Sequence, residues 1–175
     1  MGVVFDTIIV ENRLEEIFNQ LPIMTNSKGV DFKPVFKFGD EFELNAFLRA
    51  SKGDAKRPYP LIWLVYPYTE DHTRTVVNIE NMVLVLATVT NSSYNNSQRL
   101  KENYEKILIP LYENIKLAFL RVNILSTDDT YNMIKFPNYG REDGAEAKTI
   151  DLWDALKITF NCAINNNCIR QIKFT

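Results

Sequence analysis

The sequence predicts an α+β domain. It would hold an antiparallel or mixed sheet of about four to six strands, packed against two main helices and closed by a C-terminal hairpin. Three stretches predict it. Met82 to Thr90, MVLVLATVT, is a nearly unbroken apolar run that reads as a central strand. Gln98 to about Val122 has the longest helical periodicity, with Leu100, Tyr104, Ile107, Leu108, Leu111, Ile115 and Phe119 on one face. Thr149 to Ile164 alternates over an unusual length, with Ile150, Leu152, Leu156, Ile158, Phe160, Cys162 and Ile164 on one side, interrupted by Asp154.

The remaining elements follow in order. Asp6 can cap a first helix whose face is Val10, Leu14, Ile17 and Leu21, ended by Pro22. Val30 to Phe38 partly alternates, placing Phe32, Phe36 and Phe38 on one side. Pro34 lacks a ladder donor, so this is an edge strand. Asp40 and Glu43 have capping-box spacing ahead of a short helix with Leu44, Phe47 and Leu48. Leu61 to Tyr66 is a continuous apolar run, as in a strand covered on both faces. Glu70, Asp71 and His72 lie in a polar turn, and Thr75 to Ile79 is a short strand leading into the central run. Asn95 and Gln98 repeat the capping-box spacing at the start of the long helix. At ~1.5 Å per residue its roughly 25 residues would span about 37 Å, enough to cross a sheet. Pro110 sits within that pattern and should kink or split it. Tyr131 to Phe136 reads as a short strand. Cys168 to Phe174 returns beside the long closing strand after the Asn165-Asn166-Asn167 turn.

The totals narrow the function classes. The chain has 175 residues, enough for one domain with a sizeable core, and no internal boundary divides it. Its formal net charge of −2 argues against a sequence-specific nucleic-acid binder, which carries a clustered basic surplus. No run of ~18 apolar residues marks a membrane span. The N-terminal stretch has no basic region ahead of an apolar one, so no signal peptide is expected, and a reducing cytoplasm is the default. The two cysteines do not make a disulfide framework.

The search for chemistry is short. His72 is the only histidine, and a metal site needs three or four convergent ligands. Cys162 and Cys168 flank the Asn turn without a base beside them, so both read as strand packing. Asp128 and Asp129 read as loop or cap residues. No phosphate loop, nucleophile elbow or zincin motif is present. No catalytic, metal or cofactor residue is therefore assigned, and no cofactor is expected. The loop from Ser51 to Pro60 carries Lys52, Lys56 and Arg57. It reads as a solvated loop, or as a contact for a partner's acidic surface.

Taken together, the leading helix, the strands Leu61 to Tyr66 and Val76 to Val89, the helix Gln98 to Phe119 and the closing segment WDALKITF at 153–160 cover most of the chain. Their order resembles the tail terminator, or tail-completion, proteins of long-tailed bacteriophages and their neck-protein relatives. This is a likeness of layout, without a signature motif. It implies a sheet backed by helices and a virion protein made in the bacterial host cytoplasm. It also implies a homo-oligomeric ring, often hexameric, that caps the tail tube and meets the head connector, with no enzymatic activity. The contact residues then expected are Lys52, Lys56, Arg57, Tyr139, Arg141, Asp151, Trp153 and Lys157. Two other classes stay open. One is a small enzyme built on Asp71, His72 and Glu80, and the other an adaptor that binds one host target.

Overall fold

The computed structural model describes residues 8–25, 29, 31–50, 59–139, 152–167 and 171–174. In chain order the elements are α1 (Val10–Phe18), β1 (Met24–Thr25), β2 (Asp31–Phe32), β3 (Val35–Gly39), α2 (Glu41–Ala50), β4 (Leu61–Val65), β5 (Thr69–His72) and β6 (Val76–Thr90). Then come α3 (Asn96–Arg99), a π-helical segment (Leu100–Leu108), α4 (Ile109–Arg121), β7 (Leu125–Thr127), β8 (Asn132–Tyr139) and β9 (Leu152–Asn165). The fold is α+β, with a mixed sheet of seven strands, slightly more than expected, and a separate β1–β2 pair.

The sheet is built on one antiparallel pair, β6 with β9, which runs from Val76 opposite Asn165 to Thr90 opposite Leu152. Each flank of this pair carries two strands end to end. On the β6 side, β5 pairs with the first half and β4 with the second, and β3 lies parallel to β4. On the β9 side, β8 pairs with the first half and β7 with Cys162, Ala163 and Ile164. The short strand expected at Thr75–Ile79 and the central run are therefore one strand. Its register shifts between Ile79 and Met82, where Asn81 takes a positive φ of 54°. The Asn81 N–H donates to Asn161 Oδ1 at 2.9 Å, which satisfies the backbone at the irregularity. The shift changes the phase of burial. Val77 and Ile79 point into the same core as Met82, Leu84 and Leu86.

Helices pack on both faces of the sheet. The larger core lies under α1 and the long helix, where Leu14, Ile17 and Phe18 meet Leu111, Ile115 and Phe119 over Ile62, Leu64, Leu84, Leu156 and Phe160. Phe18 is the ring at its centre, 5.0 Å from Phe36 and 5.9 Å from Phe119. The second core lies under α2, where Leu44 and Leu48 pack on Leu61, Trp63, Val85, Trp153 and Ala155. All five residues of β4 are consequently buried, as its unbroken apolar run predicts.

Local signals explain most element ends. At α2 the Asp40 N–H donates to Glu43 Oε2 and the Glu43 N–H to Asp40 Oδ1, a complete capping box. The same reciprocal pair joins Asn95 and Gln98 at α3. α1 ends at Phe18, and Gln20 and Leu21 close into tight turns before Pro22. It starts at Val10 with no side-chain cap, and Asp6 lies outside the described residues. The alternation expected across Val30–Phe38 is divided at Lys33–Pro34, so that β2 pairs with β1 and β3 with β4.

Pro110 divides the covering helix through a change of hydrogen-bond register. Residues Leu100–Leu108 are π-helical, and the last N–H of that register runs from Ile109 to the Tyr104 carbonyl. Pro110 has no N–H to continue a ladder, and it sits in the first turn of α4, where none is required. The wider turn re-phases the helix. Arg99, Asn103, Tyr104 and Leu108 are buried, while Leu100, expected in the stripe, is 42% exposed.

The C-terminal hairpin is not found among the described residues. Both edges of the last part of β9 are occupied, by β6 on one side and β7 on the other, which leaves no ladder for a returning strand. Residues 171–174 instead run as irregular chain, with the Ile172 N–H donating to Gln20 Oε1 and the Lys173 carbonyl accepting from Arg121.

Gly39 joins β3 to α2 at φ 151°, and a Cβ there would lie 2.3 Å from Glu43 Oε2 and 2.9 Å from Trp63. Its carbonyl accepts from both Trp63 Nε1 and the Tyr66 N–H. Gly39→Ala is expected to lower unfolding free energy by about 1–3 kcal/mol, from the strained φ and the displaced cap, as read in urea denaturation.

Candidate functional site

A carboxylate in an apolar row must find partners. Asp154, which breaks the alternation of β9, is fully buried beneath the start of the long helix. Its Oδ1 accepts from Arg99 Nη1 at 2.9 Å and from the Asn138 N–H at 3.3 Å, and its Oδ2 accepts from Asn103 Nδ2 at 2.6 Å. Thr90 Oγ1 accepts from the same Asn103 amide at 2.7 Å, and Arg99 Nε donates to the Tyr94 carbonyl at 3.1 Å. This clasp ties β6, β8 and β9 to the helix through Arg99 and Asn103, which lie four residues apart on one helix face. Burying the ion pair is costly, and the extra hydrogen bonds offset that cost. A cleft of about 370 Å³ opens beside it, lined in part by Tyr59, Thr88, Thr90, Tyr94, Glu102 and Asn103. The polar atoms of Asn103 and Thr90 that reach this cleft are already joined to the clasp, so its first role is to fix the helix on the sheet.

A second polar centre lies where α1 meets the end of β4. Tyr66 Oη and Tyr68 Oη both donate to Glu11 Oε1, each at 2.5 Å. Burial alone would raise the Glu11 pKa. The two phenol bonds and a bond to its own backbone outweigh it, so the carboxyl sits below its ordinary value. The tyrosines move upward, through burial first and then through their bonds to Glu11. Glu11, Tyr66, Pro67, Tyr68 and Glu70 line a hollow of about 410 Å³. His72 Nε2 lies 2.5 Å from Glu70 Oε2 at its border.

The structure redistributes the residues singled out from sequence. Lys52, Lys56, Arg57, Arg141 and Asp151 lie outside the described residues. Trp153, expected at the surface, is 3% exposed in the second core, 6.0 Å from the Tyr59 ring. It points to the α2 side, so what reads as an apolar exception on a polar face is a core position. Lys157 is partly exposed and reaches Glu41 at 3.5 Å. Tyr139 is half-buried and edge-on to Phe136 at 5.8 Å. His72 is in a strand, and the turn is Thr73 to Thr75. Because neighbours in a strand face opposite sides, His72 shares a face with Glu70, while Asp71 and Glu80 lie on the other. The trio of Asp71, His72 and Glu80 does not converge. Cys162 is buried, and burial foremost, then the charge of Asp128, raises its thiol to about 12, far from a thiolate nucleophile. Asp128 accepts from Asn161 Nδ2 and from the Thr130 N–H, which makes it a loop residue as expected. Asp154 was legible only as an anomaly, a carboxylate where the pattern calls for an apolar side chain, and Arg99 left no sequence signal.

Among the described residues no group of three or more His, Cys, Asp or Glu is placed to hold a metal, and no helix is long and apolar enough to cross a membrane. No protein-family model matches the chain, and no curated protein matches it either.

Two predictions follow from these centres. Asp154→Ala strands the buried Arg99 and should lower stability by about 3–5 kcal/mol, whereas Arg99→Met with Asp154→Leu should recover much of that loss in equilibrium denaturation. The second concerns pH. Glu11 titrates lower in the folded chain, so its contribution is present at neutral pH and is lost as pH falls below its ordinary 4.5. Tyr66 and Tyr68 titrate higher when folded, so their contribution is complete below 10 and fades as pH rises beyond it. Melting temperature against pH should decline at both ends, with a shallower alkaline limb for Tyr68→Phe.

Proposed function

We propose that this protein is a virion structural subunit that assembles head-to-tail into a ring at a phage tail or neck, terminating the tail tube and joining it to the head connector. The layout resembles that family, and one observation carries the reading further. Among the described residues, the five-strand path β3-β4-β6-β9-β8 ends in two strands with no outer partner, β3 and β8. Following the pairings, β3 runs with β4 and β9, while β8 runs with β6, so the two edges are antiparallel to each other. A copy placed by rotation about an axis along the strands would set its β3 antiparallel to the β8 of its neighbour. That is a heterologous contact, and rotation closes it into a ring. Unpaired strand edges take up such partners readily. Both edges carry exposed apolar side chains, Phe38 at 50% on β3 and Met133 and Ile134 on β8. On β8 the proline lies at position 137, which leaves residues 132–136 with backbone donors for pairing.

The partners on this reading are further copies of the chain, a tail-tube protein and a neck or connector protein. The enzyme reading has no comparable geometric support, since Asp71 and Glu80 lie on the opposite face from His72. Light scattering over a concentration series, alone and with tail-tube protein, tests the proposal. A discrete ring several times the 20.3 kDa chain mass is expected, and Ile134→Pro should reduce it to the monomer. A strict monomer under every condition would sink it.

A further inference from the structure

A different observation concerns the hollow at Glu11, Tyr66 and Tyr68. We infer that this hollow is a receptor for the cationic side chain, arginine or lysine, of a partner polypeptide, held against the tyrosine rings and between the Glu11 and Glu70 carboxylates. This inference does not rest on ring assembly.

The walls have the chemistry of a cation site. Tyr66 and Tyr68 stand 5.5 Å apart with their planes tilted by 54°, and Phe38, outside the lining, packs on Tyr66 with ring centroids 5.9 Å apart. Aromatic faces attract cations through their quadrupole, and the attraction grows as the site is desolvated. Both phenols spend their protons on one oxygen of Glu11, Oε1. That fixes the rings in place and pushes electron density into them. It also means that Glu11 receives neutral donors there and keeps its negative charge. Two carboxylates, Glu11 and Glu70, line the hollow, with the His72 imidazole 2.5 Å from Glu70 at its border.

The hollow, about 410 Å³ and open to solvent, is larger than a guanidinium or an ammonium and admits one together with water. Two carboxylates at the wall favour a cation that carries N–H donors, because each can accept a charge-assisted hydrogen bond. A guanidinium or a primary ammonium meets that requirement, and a quaternary ammonium does not. The rim, Pro67 and Glu70, is exposed, so a side chain projecting from another surface can enter without rearrangement of the sheet.

The test uses the full chain and four probes: N-acetyl-arginine methylamide, N-acetyl-lysine methylamide, the uncharged citrulline analogue and tetramethylammonium. Ring signals of Tyr66 and Tyr68 in ¹H–¹³C NMR, assigned with Tyr→Phe variants, report binding whether or not the chain oligomerises. Saturable shifts are expected for the arginine and lysine probes, with citrulline weaker by about tenfold or more. Tetramethylammonium, lacking N–H donors, should bind more weakly than either. Glu70→Gln, at the exposed rim, and Tyr68→Leu should each weaken binding while the core methyl signals stay in place. Equal binding of citrulline and arginine would overturn the inference. So would the absence of a saturable shift up to the solubility of the probes, or unchanged binding in Glu70→Gln, which keeps the test decisive if Tyr68→Leu does not fold.

Discussion

The antiparallel ladder between β6 and β9 is the constraint on which the rest depends. It joins residues about eighty apart in sequence, and every other strand of the main sheet except β3 pairs directly with one of its two members. Such a non-local pair forms only after a long loop has closed, so it is a slow and cooperative commitment. Once made, it fixes which side of each strand is inside. The irregularity at Glu80–Asn81 is what allows one 15-residue strand to serve the same core along its whole length. Without the phase change, Val77 and Ile79 would face the side opposite to Leu84 and Leu86.

The helices then divide the two faces by what they can cover. α1 and the long helix sit on the face where β9 is continuously apolar from Leu156 to Ile164. α2 covers only part of the other face, around Trp63 and Trp153, and Asn78, Glu80 and Asn161 beyond it are exposed. This asymmetry is written in β9 itself, whose second face carries Lys157, Thr159 and Asn161. The clasp on Asp154 acts at the junction of helix and sheet, where hydrogen-bond geometry specifies one angle of approach and apolar contact alone would tolerate several.

Much of the fold was legible from the sequence, and the reasons are local. Both capping boxes, the doubly covered strand β4 and the long alternating strand are encoded by residues within a few positions of one another. What was not legible depends on distant partners. Among the described residues no returning strand pairs with β9, because β7 already holds its flank, a competition no local pattern reveals. Trp153 reads as a surface residue on a polar face until α2 is placed over it. Of the two polar centres, the Asp154 clasp left one trace, a carboxylate out of pattern. The Glu11 hollow left none, because Glu11 and Tyr66 are 55 positions apart and each looks ordinary alone.

The π-helical segment has a consequence for how this chain can vary through descent. Leu100–Leu108 works as a vernier between two fixed scales, the polar anchor at Arg99 and Asn103 and the apolar stripe of α4. Removing one residue between them would let the segment relax into ordinary α-helix with both scales close to their present phase, because nine residues in the wider register turn through about the same angle as eight in the α register. Point substitutions on its outer side leave that phase untouched as well. Among relatives of this chain, a spacing from Arg99 to Pro110 that is shorter by one residue should therefore go with an unbroken α-helix.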